Sequence, residues 1–275
     1  MDLRHTPLGL TSEVPARYAP EALRAVARQD PGAGRRLLGQ DLWTLWELCW
    51  RRADGLPEVA AATLTVPCDS ANVCESKSLK LYLMGLNEER FASRTELARR
   101  IETDLTNCCG APVSLSFLPS ELPARAAAAQ SPPPTPSTCL EQGGPPPAAW
   151  PRDPAEGRAQ LRCSPAEPVR EQAFHTHLFR SLCPVTGQPD WASVFIELRA
   201  RPIDPMGLLA YLLAFRRHGA LHEQCAERMV VDLLARCQPE HVTVEARFLR
   251  RGGIDINPWR GTRVPKALTP RTWRQ

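Results

Sequence analysis

The sequence predicts an α+β protein built from two similar modules. Three observations carry that expectation. Both halves run in the order strand, helix, strand, with alternating apolar positions in the strands and four-residue spacing in the helices. Residues 119–165, which include "SPPPTPSTCLEQGGPPPAAWPRDPAEGRAQ", are rich in Pro, Ala and Gly and read as a linker or external loop. Each remaining stretch is of ordinary domain size. The chain therefore divides into an N-terminal module over 1–118, the linker over 119–165 and a C-terminal module over 166–275, although no strict repeat links the halves.

In the first module "EVAAATLTVP" (58–67) and "KSLKLYLMGL" (77–86) are strand candidates, and the second of these alternates clearly. A helix is expected over 93–109, where Leu97, Ile101 and Leu105 share a face and Ser93 with Glu96 forms a capping box. "PVSLSFLP" (112–119) is a further strand. In the second module "SVFIELRA" (193–200) is a strand and 204–219 a helix opened by Asp204 with Pro205 in its first turn. A second helix covers 221–238, with Leu221, Cys225, Met229, Leu233 and Cys237 along one side, and "HVTVEARFLR" (241–250) closes the module as a strand.

Composition narrows the function classes. With 275 residues and 43% hydrophobic content, the chain can build a substantial core. A net charge of +4 with dispersed Arg pairs fits a small anionic ligand and gives no nucleic-acid tail. The N-terminus has no apolar leader core, and no run approaches the ~18 apolar residues of a membrane span, so a cytoplasmic location is expected. The ten cysteines include no CxxC pair, and adjacent Cys108 and Cys109 suit shared zinc poorly, so free thiols and no metal are expected.

Four segments hold chemistry. "SLCPVTGQPDWASV" (181–194) places Cys183 in a Pro- and Gly-bearing turn and Asp190 seven residues on, before Trp191. Cys183 reads either as a small buried hydrophobe or as a nucleophile for an electrophilic carbon. Asp190 reads as a turn residue, or as a proton donor whose pKa the neighbouring indole raises. "RHGALHEQC" (217–225) holds His218 and His222 four apart, but Gly219 is expected to end a helix between them. His222 and Glu223 could instead point at one ligand, the carboxylate accepting two hydrogen bonds from a guanine-like edge. "CESKSLKLY" (74–82) puts Glu75, Ser76, Lys77 and Lys80 at an expected strand start. It is either a charged edge or a base-binding glutamate beside phosphate-holding lysines and serines. "RFLRRGGIDINPWR" (247–260) offers a basic glycine turn, suited to phosphate or simply tight.

Together, "ESKSLKLY", "CPVTGQPDWAS", "LHEQC" and "RRGGIDINPW" resemble the signature segments of the 7-cyano-7-deazaguanine reductases, the NADPH-dependent nitrile reductases of queuosine biosynthesis, in their longer two-module form. The resemblance runs from "LWTLWELCW" (42–50) to "NPWR" (257–260) and fails only over the Pro-rich 125–160 stretch, with a loose match before residue 36. It implies tandem tunnelling-fold (T-fold) modules, each an antiparallel four-stranded sheet with two helices on one face. It implies that Cys183 attacks the nitrile, that Asp190 donates the proton and that His222 sits beside the nitrile. Glu75 and Glu223 would grip the deazaguanine, next to Cys74 and Ser76, and Ser76, Lys77, Arg251 and Gly252 would meet NADPH. Cys74 stands where an aliphatic residue is expected. The implied partners are the small nitrile substrate and a second copy of the chain in a homodimer, with no direct nucleic acid and no membrane. The rival readings are a nitrilase-type cysteine hydrolase, a zinc cyclohydrolase of the same fold, and a silent purine-binding module.

Overall fold

The computed structural model describes residues 14–34, 36–119, 136–144 and 150–275. The N-terminal residues inspected above for a leader, and residues 120–135 and 145–149 of the Pro-rich stretch, lie outside the described residues. The chain forms two compact units. The first takes residues 1–29, 40–129 and 250–256, and the second takes 30–39, 130–249 and 257–275. Both are α+β, as the sequence predicts.

The first unit contains β1 (Ala25–Ala27), β2 (Leu38–Arg52), β3 (Pro57–Pro67), β4 (Asn72–Cys74), β5 (Arg90–Phe91) and β6 (Ser114–Phe117), with helices α1 (Ser76–Gly85) and α2 (Arg94–Cys109). Its sheet runs β6-β3-β2, antiparallel along this path, followed by residues Ile254–Ile256, and the short β5 pairs parallel with the end of β2. Trp43, Leu45, Leu48, Trp50 and Leu64 of the sheet pack against Leu79, Leu83, Leu97, Ile101 and Leu105 of the helices.

The second unit contains β7 (Thr138–Cys139), α3 (Pro154–Gly157), β8 (Arg170–Leu182), β9 (Pro189–Ala200), α4 (Pro205–Leu213), α5 (His222–Cys237), β10 (His241–Phe248) and β11 (Ile254–Gly261), the last counted here from Asn257. The order is β11-β10-β9-β8-β7, antiparallel except for β7 with β8. Its core gathers Phe179, Val194, Ile196 and Val244 from the sheet with Leu208, Tyr211, Met229 and Leu233 from α4 and α5.

The expected strand over 77–86 is a helix, α1. Buried Leu79, Tyr82, Leu83 and Leu86 recur at three- and four-residue spacing, and the Glu75 carboxylate caps the first turn. The expected strand start at Glu75, Ser76, Lys77 and Lys80 is therefore the cap and first turns of a helix. The helix expected over 204–219 stays α-helical only to Leu213 and tightens to 3₁₀ over Ala214–Arg217. The strand over 241–250 is followed by another, β11, so it does not close its module.

β2 and β8 escape simple periodicity for one reason. Each carries a bulge, between Leu45 and Leu48 in β2 and between Thr176 and Phe179 in β8. The extra residue flips the apolar phase midway, so neither strand alternates along its length. The matching bulges are the clearest structural sign that the two units repeat one plan.

The Pro-rich stretch is not only an external loop. β7 pairs with β8, and Leu140 and Leu161 are fully buried in the second unit's core. The stretch also packs on α4. A Cβ on Gly157 would lie 2.7 Å from that of Ala214, and one on Gly207 would lie 2.3 Å from the main-chain oxygen of Gln160. Deleting 125–160 is therefore expected to destabilise the fold, because Leu140 and Pro154 leave the core with it. Gly207→Ala tests the same packing. Overpacking costs roughly 1–3 kcal/mol, and a clash with main chain sits at the upper end. The opposing gain from alanine in a helix is ~1 kcal/mol. A net loss near 2 kcal/mol is expected by urea denaturation, and an unchanged midpoint would show that the contact does not form.

Candidate active site

The β8–β9 hairpin closes on the pair Leu182 and Pro189, leaving residues 183–188 as its loop. Within it the Cys183 N–H donates to the Gln188 carbonyl (2.8 Å) and the Gly187 N–H donates to the Cys183 carbonyl (3.0 Å). Gly187 has φ +66°, a conformation that glycine adopts freely. Residues 184–189 are exposed, whereas the flanking Cys183 and Asp190 are only 7% and 4% exposed. The loop thus buries a thiol at one end and a carboxylate at the other.

The same hairpin fixes the start of α5. The Leu182 N–H donates to the His218 carbonyl (2.9 Å), and the Ala220 N–H donates to the Leu182 carbonyl (3.1 Å). Two residues later α5 begins with His222 and Glu223. The His222 ring stacks on Phe248 at 3.8 Å and 5°, and its Nε2 lies 3.5 Å from Asp190 Oδ2. Glu223 is 3% exposed in the first helical turn, where free main-chain N–H groups favour negative charge. His218 ends the preceding 3₁₀ turn in extended conformation, so it and His222 share no helix face. Burial lowers the His218 pKa, with Arg228 next in effect.

Cys225, read from sequence as core, belongs to this neighbourhood too. Burial pushes its thiol up to about 12; a hydrogen bond from Ser181 opposes this, and the charges of Asp190 and Glu223 add to it. Trp191 does not cover Asp190 as expected. Adjacent strand residues face opposite ways, and Trp191 instead carries the guanidiniums of Arg180, Arg216 and Arg274 at 5.2–5.5 Å. Asp190 is dry because His222 and the helix side of the sheet enclose it.

The remaining predicted site residues lie in the first unit. Glu75 Oε1 accepts from the Lys77 N–H (2.7 Å) and Oε2 from the Ser78 N–H (2.8 Å). A carboxylate has about four acceptor positions, so this capping leaves capacity for a ligand. Ser76 and Lys80 are i and i+4 on α1, and Lys80 Nζ donates to the Gly252 carbonyl (2.6 Å) and lies 3.4 Å from Glu47 Oε2. Gly252 and Gly253, at φ +59° and +79°, form the two-residue turn in which the Arg251 N–H donates to the Ile254 carbonyl (2.8 Å). The motifs with Ser76–Lys77 and Arg251–Gly252 therefore meet through Lys80, which sequence reasoning noted without assigning. A side chain at Gly252 would meet Lys80 Nζ at 3.1 Å, so only glycine leaves this cradle open. A helix start with lysines, an arginine and a bare glycine turn suits the phosphates of a dinucleotide.

Cys74 is 4% exposed, and its thiol packs among Cys108 and Cys109 in the core. Hydrogen bonds toward Cys108 from Cys109 and Cys74 hold its thiol well below the ordinary range and push its two neighbours up. Among the described residues, no group of three or more His, Cys, Asp or Glu side chains is placed to hold a metal ion, and no helix is long and apolar enough to cross a membrane.

Two units of mainly antiparallel sheet with packed helices define a tandem α+β protein, the second unit carrying a buried cysteine and a buried carboxylate on one hairpin. Comparison with known proteins makes this specific. Residues 14–117 match the family described as nitrile reductase, 7-cyano-7-deazaguanine-reductase N-term, and residues 189–267 match the QueF-like protein family. The NADPH-dependent 7-cyano-7-deazaguanine reductase of Bordetella pertussis (strain Tohama I) is 41% identical over 267 residues, 94% of each chain. That of Xanthomonas campestris pv. campestris (strain B100) is 44% identical over 270 residues, 96% of this chain and 94% of its own. A crystal structure of the archaeosine synthase QueF-Like in the apo form aligns with 37% of this chain and 99% of its own, at 20% identity and a TM-score of 0.31, too slight to bear on function. The chain belongs to the family of NADPH-dependent 7-cyano-7-deazaguanine reductases.

The thiol cluster gives a pH prediction. Cys108 is half-buried and its pKa is depressed, so it stays a thiolate as pH falls, whereas ordinary cysteines protonate below their pKa of ~8.5. Iodoacetamide labelling of Cys108 in the native protein should therefore change little between about pH 6 and 8, while that of an ordinary thiol rises steeply. Peptide mass spectrometry reads the rates, and a steep rise at Cys108 would refute the cluster's polarity.

Proposed function

We propose that this chain reduces the nitrile of 7-cyano-7-deazaguanine to the aminomethyl group of 7-aminomethyl-7-deazaguanine, with two NADPH, in the queuosine branch of tRNA modification. The observation that carries the reading is the hairpin that buries Cys183 and Asp190 at its two ends with His222 against the carboxylate. The family relationship supports it.

A nitrile accepts hydride poorly. The Cys183 thiolate adds to the nitrile carbon, and Asp190 gives the nitrogen its proton, so that the product is a thioimide with a reducible C=N. His222, held by stacking on Phe248, keeps the Asp190 proton directed at the substrate. Glu223 and Glu75 accept from the N–H groups of the deazaguanine, and any part Cys74 takes falls to its main chain, because its thiol is in the core. Ser76, Lys77, Arg251 and Gly252 hold NADPH, which supplies hydride when bound. After the first reduction Cys183 departs as thiolate and the imine stays in the pocket, where exclusion of water prevents hydrolysis. Nitrile to amine takes four electrons, hence two NADPH. The working form in this reading is a cytoplasmic homodimer, in keeping with the open sheet edges of a four-stranded module.

Substrate mixed with enzyme in the absence of NADPH should add its mass to Cys183 alone. Cys183→Ala should bind but not turn over, and an adduct on any other cysteine would overturn the assignment. Asp190→Asn keeps the shape and loses the proton, so the rate should drop by about 10²–10⁴. Near-normal turnover of this variant would move the acid role to His222 or water. Glu223→Ala should weaken substrate binding by roughly 1.5–3 kcal/mol in calorimetry, the worth of a charged hydrogen bond.

A further inference from the structure

A cavity of about 490 Å³ in the second unit is used by none of the chemistry above. Its walls include Arg152, Arg180, Arg216 and Arg217, and its apolar surface includes Trp150 and Leu178, which are 40% and 42% exposed. Four guanidiniums around one cavity repel one another, and burial together with Arg180 lowers the pKa of Arg216.

Arg180 and Arg216 are held in place by main chain instead of by acids. Arg180 Nε and Nη2 both donate to the Arg216 carbonyl (3.2 and 2.8 Å), and Arg216 Nη1 donates to the Leu178 carbonyl (3.2 Å). The Trp191 ring backs both guanidiniums. Among the described residues, no carboxylate lies within ion-pairing distance of Arg180, Arg216 or Arg217. The nearby acids are engaged: Asp153 caps α3 by accepting from the Glu156 N–H, and Glu156 pairs with Arg152 at 3.3 Å.

We propose that this cavity is a binding site for a nucleoside monophosphate, separate from the reductase site. Guanidiniums fixed in one orientation match phosphate oxygens, and a dianion answers more than one uncompensated charge where a carboxylate answers one. Trp150 offers a flat face for the base, as indoles do in nucleotide-binding proteins. The volume falls in the range of small-ligand sites, roughly 300–1,000 Å³.

The test is titration of the full-length protein with AMP, followed by tryptophan fluorescence and calorimetry. Adenosine, inorganic phosphate and a short single-stranded RNA serve as comparison ligands. AMP should bind more tightly than adenosine or phosphate, and its affinity should fall as salt rises. Arg217→Glu changes an exposed side chain, so the fold should survive; with Arg216→Ala it should weaken AMP at least tenfold. Trp150→Ala should weaken AMP while leaving the phosphate affinity alone. Arg251→Ala should not change AMP binding, which separates this site from the cofactor's. AMP affinity unchanged in Arg217→Glu and Arg216→Ala would overturn the proposal, as would AMP binding lost only in Arg251→Ala. Arginine-dependent RNA binding much tighter than AMP would overturn it in favour of a strand-binding surface.

Discussion

The main chain of Leu182 is the joint on which the candidate site depends. Its Cα partner is Pro189, which closes the hairpin, and its N–H and carbonyl are both spent on residues 218 and 220. One residue thereby ties the turn with Cys183, the strand start with Asp190 and the approach to α5. None of these bonds involves a catalytic side chain. The geometry is set by backbone groups that must be paired once buried, so the reactive groups are free to be chosen for chemistry. Gly219 lies at the crossing, where a Cβ would be in ordinary contact with Pro184 at 3.4 Å.

The site's polarity follows from this burial. Asp190, Glu223 and Cys225 crowd a region with little water, and Cys225 responds by holding its proton. The two acidic side chains sit there in different settings: Glu223 lies at a helix start, and Asp190 has an imidazole 3.5 Å away. In the first unit Glu75 does a double duty of another sort. It caps α1 with both oxygens, so any ligand it takes is bound by a group already oriented by the fold.

Much of this was legible in the sequence where a local rule governs. Ser93 and Asp204 begin their helices as expected, and β3, β6, β9 and β10 stand where apolar runs place them. In α2 the capping is offset, since Glu96 accepts from the Ala92 N–H instead of closing on Ser93. The motif segments were found because their residue types are chemically unusual together. What escaped was whatever depends on a partner far along the chain. α1 alternates over its first residues as a strand would, but Leu79, Tyr82, Leu83 and Leu86 also keep helical spacing, and the Glu75 cap with packing against β2 and α2 decides for a helix. β2 and β8 hide behind bulges. Leu140 and Leu161 are lone apolar residues among prolines, and composition cannot say that two such residues fill a core. Trp191 was misjudged because proximity in sequence was allowed to stand for proximity in space.

The glycine turn after Arg251 has a consequence for how the protein is made. Residues 250–256 complete the first unit, yet they leave the ribosome after nearly all of the chain. Until then β2, β3, α1 and α2 exist with a sheet edge still unfilled, while the whole body of the second unit is being synthesised. The N-terminal module is thus first to be started yet completed only near the end of translation, just before residues 257–275 finish the second unit. Shortening the gene to its first 118 codons would not yield a smaller version of the protein, but a sheet lacking its neighbour and open to pairing with other chains.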